Sequence, residues 1–413
     1  VTAPSVSIVI VSRHRAGALK RCLTGISQLQ YRPFEVVVVA DPEGIAAAQE
    51  LPFAGDIKLC AFDEPNISAA RNIGINHAAG EIVAFIDDDA VPEPQWLRHL
   101  VAPAANPAVA AMGGFVRGRN GISFQWTARR LDAMGQPSAL NIDTNKSTLL
   151  HPPQGHAIKT EGTNMAFKRD TLIDLDGFDE AFHYFLDETD LNMRLARTGA
   201  ATALVPLAEV HHGFQANAMR TATRVPTDLF DIGASWAVFQ RKHIPESQHA
   251  PHWKARQKEE RARLIRHLQQ GTLEPRAVRR LMKRLRDGYE AGRTRALNQG
   301  NLSSQAVRPF QPFPSRRRES IWIASTPLKF RKDMEEARAQ VAAGRIVTLC
   351  SLSYTALYHH IGFTNDGVWV QRGGVYGRSD RNTPIFRMTT KSRRQTREKN
   401  RVARQRSLGN DSI

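Results

Sequence analysis

Cysteine is scarce. Three occur in 413 residues, at Cys22, Cys60 and Cys350, far apart and without a Cys-x-x-Cys pair. That pattern argues against a disulfide framework or a cysteine-held zinc site and fits a reducing compartment. Long apolar runs are missing too: no window approaches the roughly 18 to 20 apolar residues of a membrane-spanning helix. Val1 leads straight into a strand-like segment with no signal-peptide pattern, so a soluble, unexported, cytoplasmic protein is expected. No glycine-rich phosphate cradle follows the first strand, where only Gly17 lies nearby, and this disfavours a nucleotidyltransferase. A hydrophobic content of 41% is enough for one or two globular domains.

Acidic charge is short in one part of the chain only. The net charge is +17, yet residues 1–240 hold 20 basic and 26 acidic side chains against 37 and 14 in residues 241–413. The basic part suits a polyanionic surface such as a phospholipid leaflet, a nucleic acid or an acidic polysaccharide. Its basic helices show no run of aromatics interleaved with the cations, and no nucleic-acid-binding module is visible. Peripheral contact with an anionic inner leaflet is therefore the preferred partner, and nucleic acid is disfavoured.

What is present first is a β-α-β-α alternation. Val6–Val11, Phe34–Ala40, Ile57–Phe62, Ile82–Ile86 and Val109–Val116 read as strands, with helices near 16–29, 43–51, 67–79 and 94–103 between them. Apolar strands without alternation imply a parallel sheet covered on both faces, and such sheets bind ligands beyond the carboxyl ends of their strands. Residues 119–160 read as a loop-rich excursion. Helices near Arg169–Leu175 and Glu188–Arg197 and a strand near Ala201–Val210 follow. We read 1–240 as an α/β catalytic domain and 241–300 as a basic helical region. A small C-terminal α/β unit of unassigned role spans 316–390, and 391–413 reads as a basic disordered tail.

The fourth strand ends in Asp87-Asp88-Asp89. Three adjacent carboxylates repel unless a cation joins them, and a hard divalent ion, Mn²⁺ or Mg²⁺, bridging to a diphosphate resolves that repulsion. The plainer alternative is a solvated acidic turn before a helix. The surrounding Asn66-Ile-Ser-Ala-Ala-Arg-Asn-Ile-Gly74 and Ala79-Gly80-Glu81, running into Ile82–Ile86 and the aspartates, resemble the nucleotide-sugar-binding half of family 2 glycosyltransferases, which have a GT-A fold. The resemblance covers about residues 5–215 and implies an inverting transferase that takes sugar from a UDP- or dTDP-sugar. Its acceptor would be a hydroxyl of a glycan or lipid-linked precursor in surface polysaccharide synthesis.

Residue by residue, the resemblance implies donor contacts at Ser12, Arg13, Asp41, Asn66, Arg71, Asp87 and Asp88, and metal ligands at Asp87, Asp89 and His211 of the pair His211-His212. Arg71 has the planar fork that suits phosphate oxygens. The first strand departs from the family pattern at Ser12-Arg13-His14-Arg15. On the acceptor side, Glu161-Gly-Thr-Asn164 and Asp187-Glu-Thr-Asp-Leu191 match, which implies acceptor contacts at Gly162 and Asn164. The general base falls on Glu188, with Asp187 and Asp190 as alternates. The same carboxylates would also suit the first turn of a helix. A second reading is a catalytically degenerate domain whose basic C-terminal part binds nucleic acid or another polyanion.

Overall fold

Runs of β-branched residues open the chain and form strands with both faces covered. The computed structural model describes residues 3–213, 219–221, 223–298 and 300–409. In it, β1 (Val6–Ser12), β2 (Phe34–Ala40), β3 (Ile57–Ala61) and β4 (Ile82–Ile86) alternate with α1 (Ala16–Ile26), α2 (Pro42–Gln49) and α3 (Ile67–His77). Every residue of β2 is buried, which explains why its sequence shows no alternation. Its Glu35 is tolerated there by an ion pair with the equally buried Lys58 at 2.8 Å. The order β3-β2-β1-β4 is parallel throughout, so four carboxyl ends share one edge.

The chain then makes β5 (Ala90–Pro92), α4 (Trp96–Val101) and β6 (Val109–Arg117). The loop-rich excursion contains five short strands: β7 (Phe124–Trp126), β8 (Arg129–Leu131), β9 (Pro137–Ala139), β10 (Thr148–Leu150) and β11 (Ala157–Lys159). Of these, β8, β9 and β11 form a small sheet of their own. Next, β12 (Asn164–Lys168) inserts antiparallel between β4 and β6. Helices α5 (Arg169–Asp174) and α6 (Asp187–Arg197) follow, and β13 (Ala201–His212) runs parallel to β6. The architecture is the mixed α/β sandwich expected. One face buries Leu19, Leu23, Trp96 and Leu100, and the other buries Ile75, Leu172, Leu191 and Leu195.

Helix α7 (Phe230–His243) was not foreseen. Residues Gly233 to Gln240 are all buried, so the helix shows no polar stripe to reveal its period. It packs against α9 (Pro275–Gly292), which follows α8 (His249–Gln269). Glycines bring α7 and α9 together: a Cβ added at Gly288 would lie 1.8 Å from the Phe230 carbonyl oxygen.

The C-terminal unit contains β14 (Ser320–Ser325), α10 (Phe330–Ala342), β15 (Ile346–Ser353), β16 (His360–Phe363) and β17 (Val368–Gly374), in the sheet order β14-β15-β17-β16. The expectation of a disordered tail is corrected by α11 (Lys391–Arg406). Its charges are paired: Arg394, Glu398 and Arg406 are all buried, Glu398 contacts Arg394 and Arg401, and Arg406 reaches Glu93. Residues 410–413 lie outside those described. Val402 and Leu408 join Trp369, Ile346 and Ile361 in a cluster with Val91 and Ile122 of the N-terminal part, so the two parts share a core. Among the described residues no helix is long and apolar enough to cross a membrane.

Candidate active site

Because β1, β2 and β4 are parallel, Ser12, Asp41 and Asp87-Asp88-Asp89 arrive at one edge of the sheet. Antiparallel β12 starts at the same edge, so the loop Glu161-Gly162-Thr163 faces the aspartates. Thr163 Oγ donates to Asp87, and Arg71 of α3 lies 3.6 Å from the same carboxylate. Helix α6 presents Asp187 and Glu188 in its first turn. The backbone just before it is strained, with Phe185 and Leu186 both in the left-handed region at φ 72° and 67°. Two consecutive non-glycine residues in that region persist only where the surroundings enforce them, commonly at functional sites.

The three aspartates have different fates. Asp88 is fully buried, accepting from Ser12 Oγ at 2.7 Å and pairing with Arg15 at 2.9 Å. Burial lifts its pKa to about 7 against the pull of Arg15. It organises the turn, and of the three aspartates Asp87 alone lines the cavities described below. Asp87 and Asp89 instead group with His212, all three ligand atoms lying within 4.8 Å of one another.

The histidine of this group is His212, where the sequence favoured His211. Pairing of β5 with β13 sets His212 opposite Ala90, beside Asp89, and His211 opposite Val91. Adjacent strand residues point to opposite faces, and His211 turns away to Glu93 at 2.8 Å, its ring 5.0 Å from that of Trp369. His212 Nδ1 meets Gln125 Oε1 at 2.9 Å, which leaves Nε2 on the side of Asp89, 3.2 Å away. An imidazole oriented from behind by a hydrogen bond, beside two carboxylates, is a chemically suitable donor set for Mn²⁺ or Mg²⁺.

A cavity of about 680 Å³ reaches this cluster at Asp87. Its lining includes Arg71, Asp87, Gly162, Lys159, Asp187 and Glu188, and it runs on to Trp236, Arg256 and Arg263 of α7 and α8. A smaller cavity of about 200 Å³ adjoins it, lined by Ser12, Arg13, Phe62, Asn66 and Ala70, with Asp87 and Tyr184 common to both. Asn66 also caps α3 through Ala69 N–H. Arg13 leans on Asp63 at 2.9 Å.

The carboxylates of α6 divide by partner. Glu188 is only partly exposed at the cavity wall, and that desolvation would raise its pKa, but Lys159 at 2.8 Å overrides this and draws it down to about 2. Burial lifts Asp187 to about 7, against the charge of Arg71, to which it is hydrogen-bonded. Asp190 does not reach the cavity: it is fully buried, and His243, Arg194 and Lys242 overcome that burial to hold it well below the usual carboxylate range. That set of partners makes it a structural anchor, contrary to its expected role as an alternate base.

Asn164 is also corrected. Its side chain accepts from Trp96 Nε1 and donates to the Phe115 and Ala208 carbonyls at 2.8 to 2.9 Å, all inside the core, so no amide group is left for an acceptor. Asp41 is buried, capping α2 through Gly44 N–H and accepting from His14 N–H at 3.2 Å. Sequence reasoning missed Arg15, Gln125, Lys159 and Thr163. Arg15 stands in the Ser-Arg-His-Arg departure, which was its one signal.

The family model for glycosyl transferase family 2 matches residues 7–175. The chain carries a family 2 glycosyltransferase domain. Pre-mycofactocin glycosyltransferase of Mycobacterium tuberculosis is 27% identical over 215 residues, covering 50% of this chain and 42% of that protein. Glucosyl-dolichyl phosphate glucuronosyltransferase of Haloferax volcanii is 27% identical over 180 residues, covering 42% and 55%. The chain thus spans about half the length of these relatives. Among solved structures, GalNAc-T7 with UDP, GalNAc and Mn²⁺ is similar at 16% identity and a TM-score of 0.44, covering 58% of this chain and 48% of that one. The family 2 segment contains Arg71, the three aspartates and Thr163, while Asp187, Glu188 and His212 lie beyond it.

Proposed function

We propose that the protein is an inverting glycosyltransferase that moves a sugar from a nucleoside diphosphate donor to a hydroxyl of a glycan or lipid-linked acceptor. The observation that carries this reading is the grouping of Asp87, Asp89 and His212, with Asp87 beside Arg71 and on the wall of both cavities. The smaller cavity suits the nucleoside, UDP or dTDP, and the larger one the acceptor. Asp87, Asp89 and His212 would hold Mn²⁺ or Mg²⁺, which when bound neutralises the charge of the leaving diphosphate.

The chain's own groups do the rest. Arg71 offers a second positive charge to phosphate. Thr163 fixes the rotamer of Asp87, and Gly162 keeps the backbone low beside Arg71, where a Cβ would come within 2.7 Å of its guanidinium. Glu188 takes the proton of the acceptor hydroxyl as that oxygen bonds to the anomeric carbon, and the bond from that carbon to the β-phosphate oxygen breaks on the opposite face. Lys159 keeps Glu188 ionised for this step, and Asp187 is the alternate base. The positive charge of residues 241–413 would hold the enzyme to an anionic inner leaflet, where a lipid-linked acceptor is presented.

The test is release of free nucleoside diphosphate from a panel of sugar nucleotides with Mn²⁺ and a mixed acceptor pool. Glu188→Gln should lower the rate by about 10²–10⁴-fold with donor affinity retained. Full activity of both Glu188→Gln and Asp187→Asn would overturn the assignment.

A further inference from the structure

Two loops of the C-terminal unit turn their apolar side chains outward. Tyr354, Leu357 and Tyr358, between β15 and β16, are 70%, 63% and 58% exposed. Ile385, Phe386 and Met388, between β17 and α11, are 60%, 53% and 76% exposed. The loops are stitched into one surface. Tyr376 N–H donates to Thr355 O at 3.1 Å, Arg387 N–H to Tyr376 O at 2.9 Å, and His359 N–H to Arg378 O at 3.0 Å. The Tyr376 and Phe386 rings are 5.6 Å apart, and the Arg378 guanidinium sits 4.8 Å from the Tyr358 ring.

Single exposed apolar residues are ordinary, whereas a contiguous patch marks an interaction surface. This patch is also cationic. Arg381, Arg387 and Arg393 are exposed within or beside it. From Tyr376 to Arg397 the one acidic residue is Asp380, and it is neutralised by Arg401 at 2.7 Å.

We infer that this two-loop surface docks on an anionic phospholipid bilayer, its aromatic and aliphatic side chains entering the headgroup region and its arginines meeting lipid phosphates. The shape favours a bilayer over a protein partner. All eight residues from Arg381 to Met388 are exposed, so the apolar groups project from the surface, as entry into a headgroup layer requires. Tyrosine and phenylalanine beside arginine is the combination suited to the membrane–water boundary. The inference rests on the membrane attachment proposed above and locates it away from the basic helices α8 and α9.

The test is flotation of the full chain with vesicles of phosphatidylcholine, with and without phosphatidylserine. The chain should float only with the anionic vesicles, and added salt should weaken it. The triple variant Ile385→Ser/Phe386→Ser/Met388→Ser and the double variant Arg381→Glu/Arg387→Glu should each lose at least about tenfold in partitioning. Arg279→Glu/Arg280→Glu on α9 should partition like the unaltered chain. Unchanged nucleotide-induced thermal stabilisation would establish that the loop variants are folded. No flotation of the unaltered chain overturns membrane attachment as a whole. Flotation that the loop variants retain overturns this surface alone. A dimer that those variants convert to monomer assigns the surface to a second copy of the chain and overturns the bilayer.

Discussion

Lys159 and Glu188 share one wall of the larger cavity, and their pairing sets how the rate should respond to pH. Glu188 is drawn down to about 2 by that ammonium, so the acid limb of kcat/KM should lie well below neutrality. In Lys159→Met the desolvation of Glu188 acts unopposed by its main cation, and the acid limb should move up by about one to three units. A limb near 7 that the substitution leaves unmoved would transfer the base role to Asp187. A second residue-scale prediction separates the histidines: His212→Ala should weaken Mn²⁺ binding at least about tenfold, more than His211→Ala does, as read by titration calorimetry. Equal losses would contradict the register argument. The sequence disclosed Asp87, Asp89 and Arg71 through the family resemblance, with chemistry in support: carboxylates crowded at a strand end favour a cation, but that alone does not exclude a solvated turn. It could not disclose His212, which depends on how β5 pairs with β13. Asn164 and Asp190 were misread for a related reason: a motif names a side chain but not the core partners that occupy it.

At the scale of elements, α11 is held by a buried arginine. Arg406 is fully buried and forks onto Glu93 at 2.7 and 2.8 Å, with Trp369 stacked 4.0 Å from its guanidinium. Arg406→Ala leaves a buried carboxylate with His211 as its remaining side-chain partner, so we expect a loss of about 3 kcal/mol in urea unfolding. A change under about 0.5 kcal/mol would show that α11 is not integral to the fold. Burial raises Glu93 while Arg406 and His211 pull it down to about 2. With Glu188 it forms a pair whose folded pKa lies below the unfolded value. Their stabilisation is complete above about pH 4.5 and is lost as pH falls through the folded values toward 2. The urea midpoint should therefore fall over that window, and it should fall less in Arg406→Ala. Helix α7 makes its own prediction: Gly288→Ala places a methyl against the Phe230 carbonyl and should destabilise by about 1–3 kcal/mol. These elements were hidden from sequence reading in opposite ways. Helix α7 has no polar stripe, and α11 is so charged that its internal ion pairs looked like solvated disorder. The β-α-β half was readable because β1, β2 and β4 are short apolar runs separated by turn residues.

At the scale of the whole molecule, the acidic N-terminal and basic C-terminal parts do not divide into a catalytic and a binding half. Helix α8 supplies Arg256, Glu259 and Arg263 to the same cavity that holds Arg71, Asp87 and Glu188. The linker after residue 298 is bound to the main sheet, with Phe313 stacked on Phe34 at 5.2 Å and Gln311 N–H donating to Glu35. The charge split that sequence arithmetic shows is real, but it says nothing about which surfaces meet. The central claim is that Asp87, Asp89 and His212 together form a metal-assisted nucleotide site. The measurement that tests it most directly is thermal stabilisation of the chain by UDP, dTDP, GDP and CMP, each with and without Mn²⁺, beside Asp89→Ala. One uridine or thymidine diphosphate should raise Tm only when Mn²⁺ is present, and Asp89→Ala should abolish the rise. A nucleotide shift that is indifferent to Mn²⁺ and survives in Asp89→Ala, or no shift with any nucleotide, would contradict it.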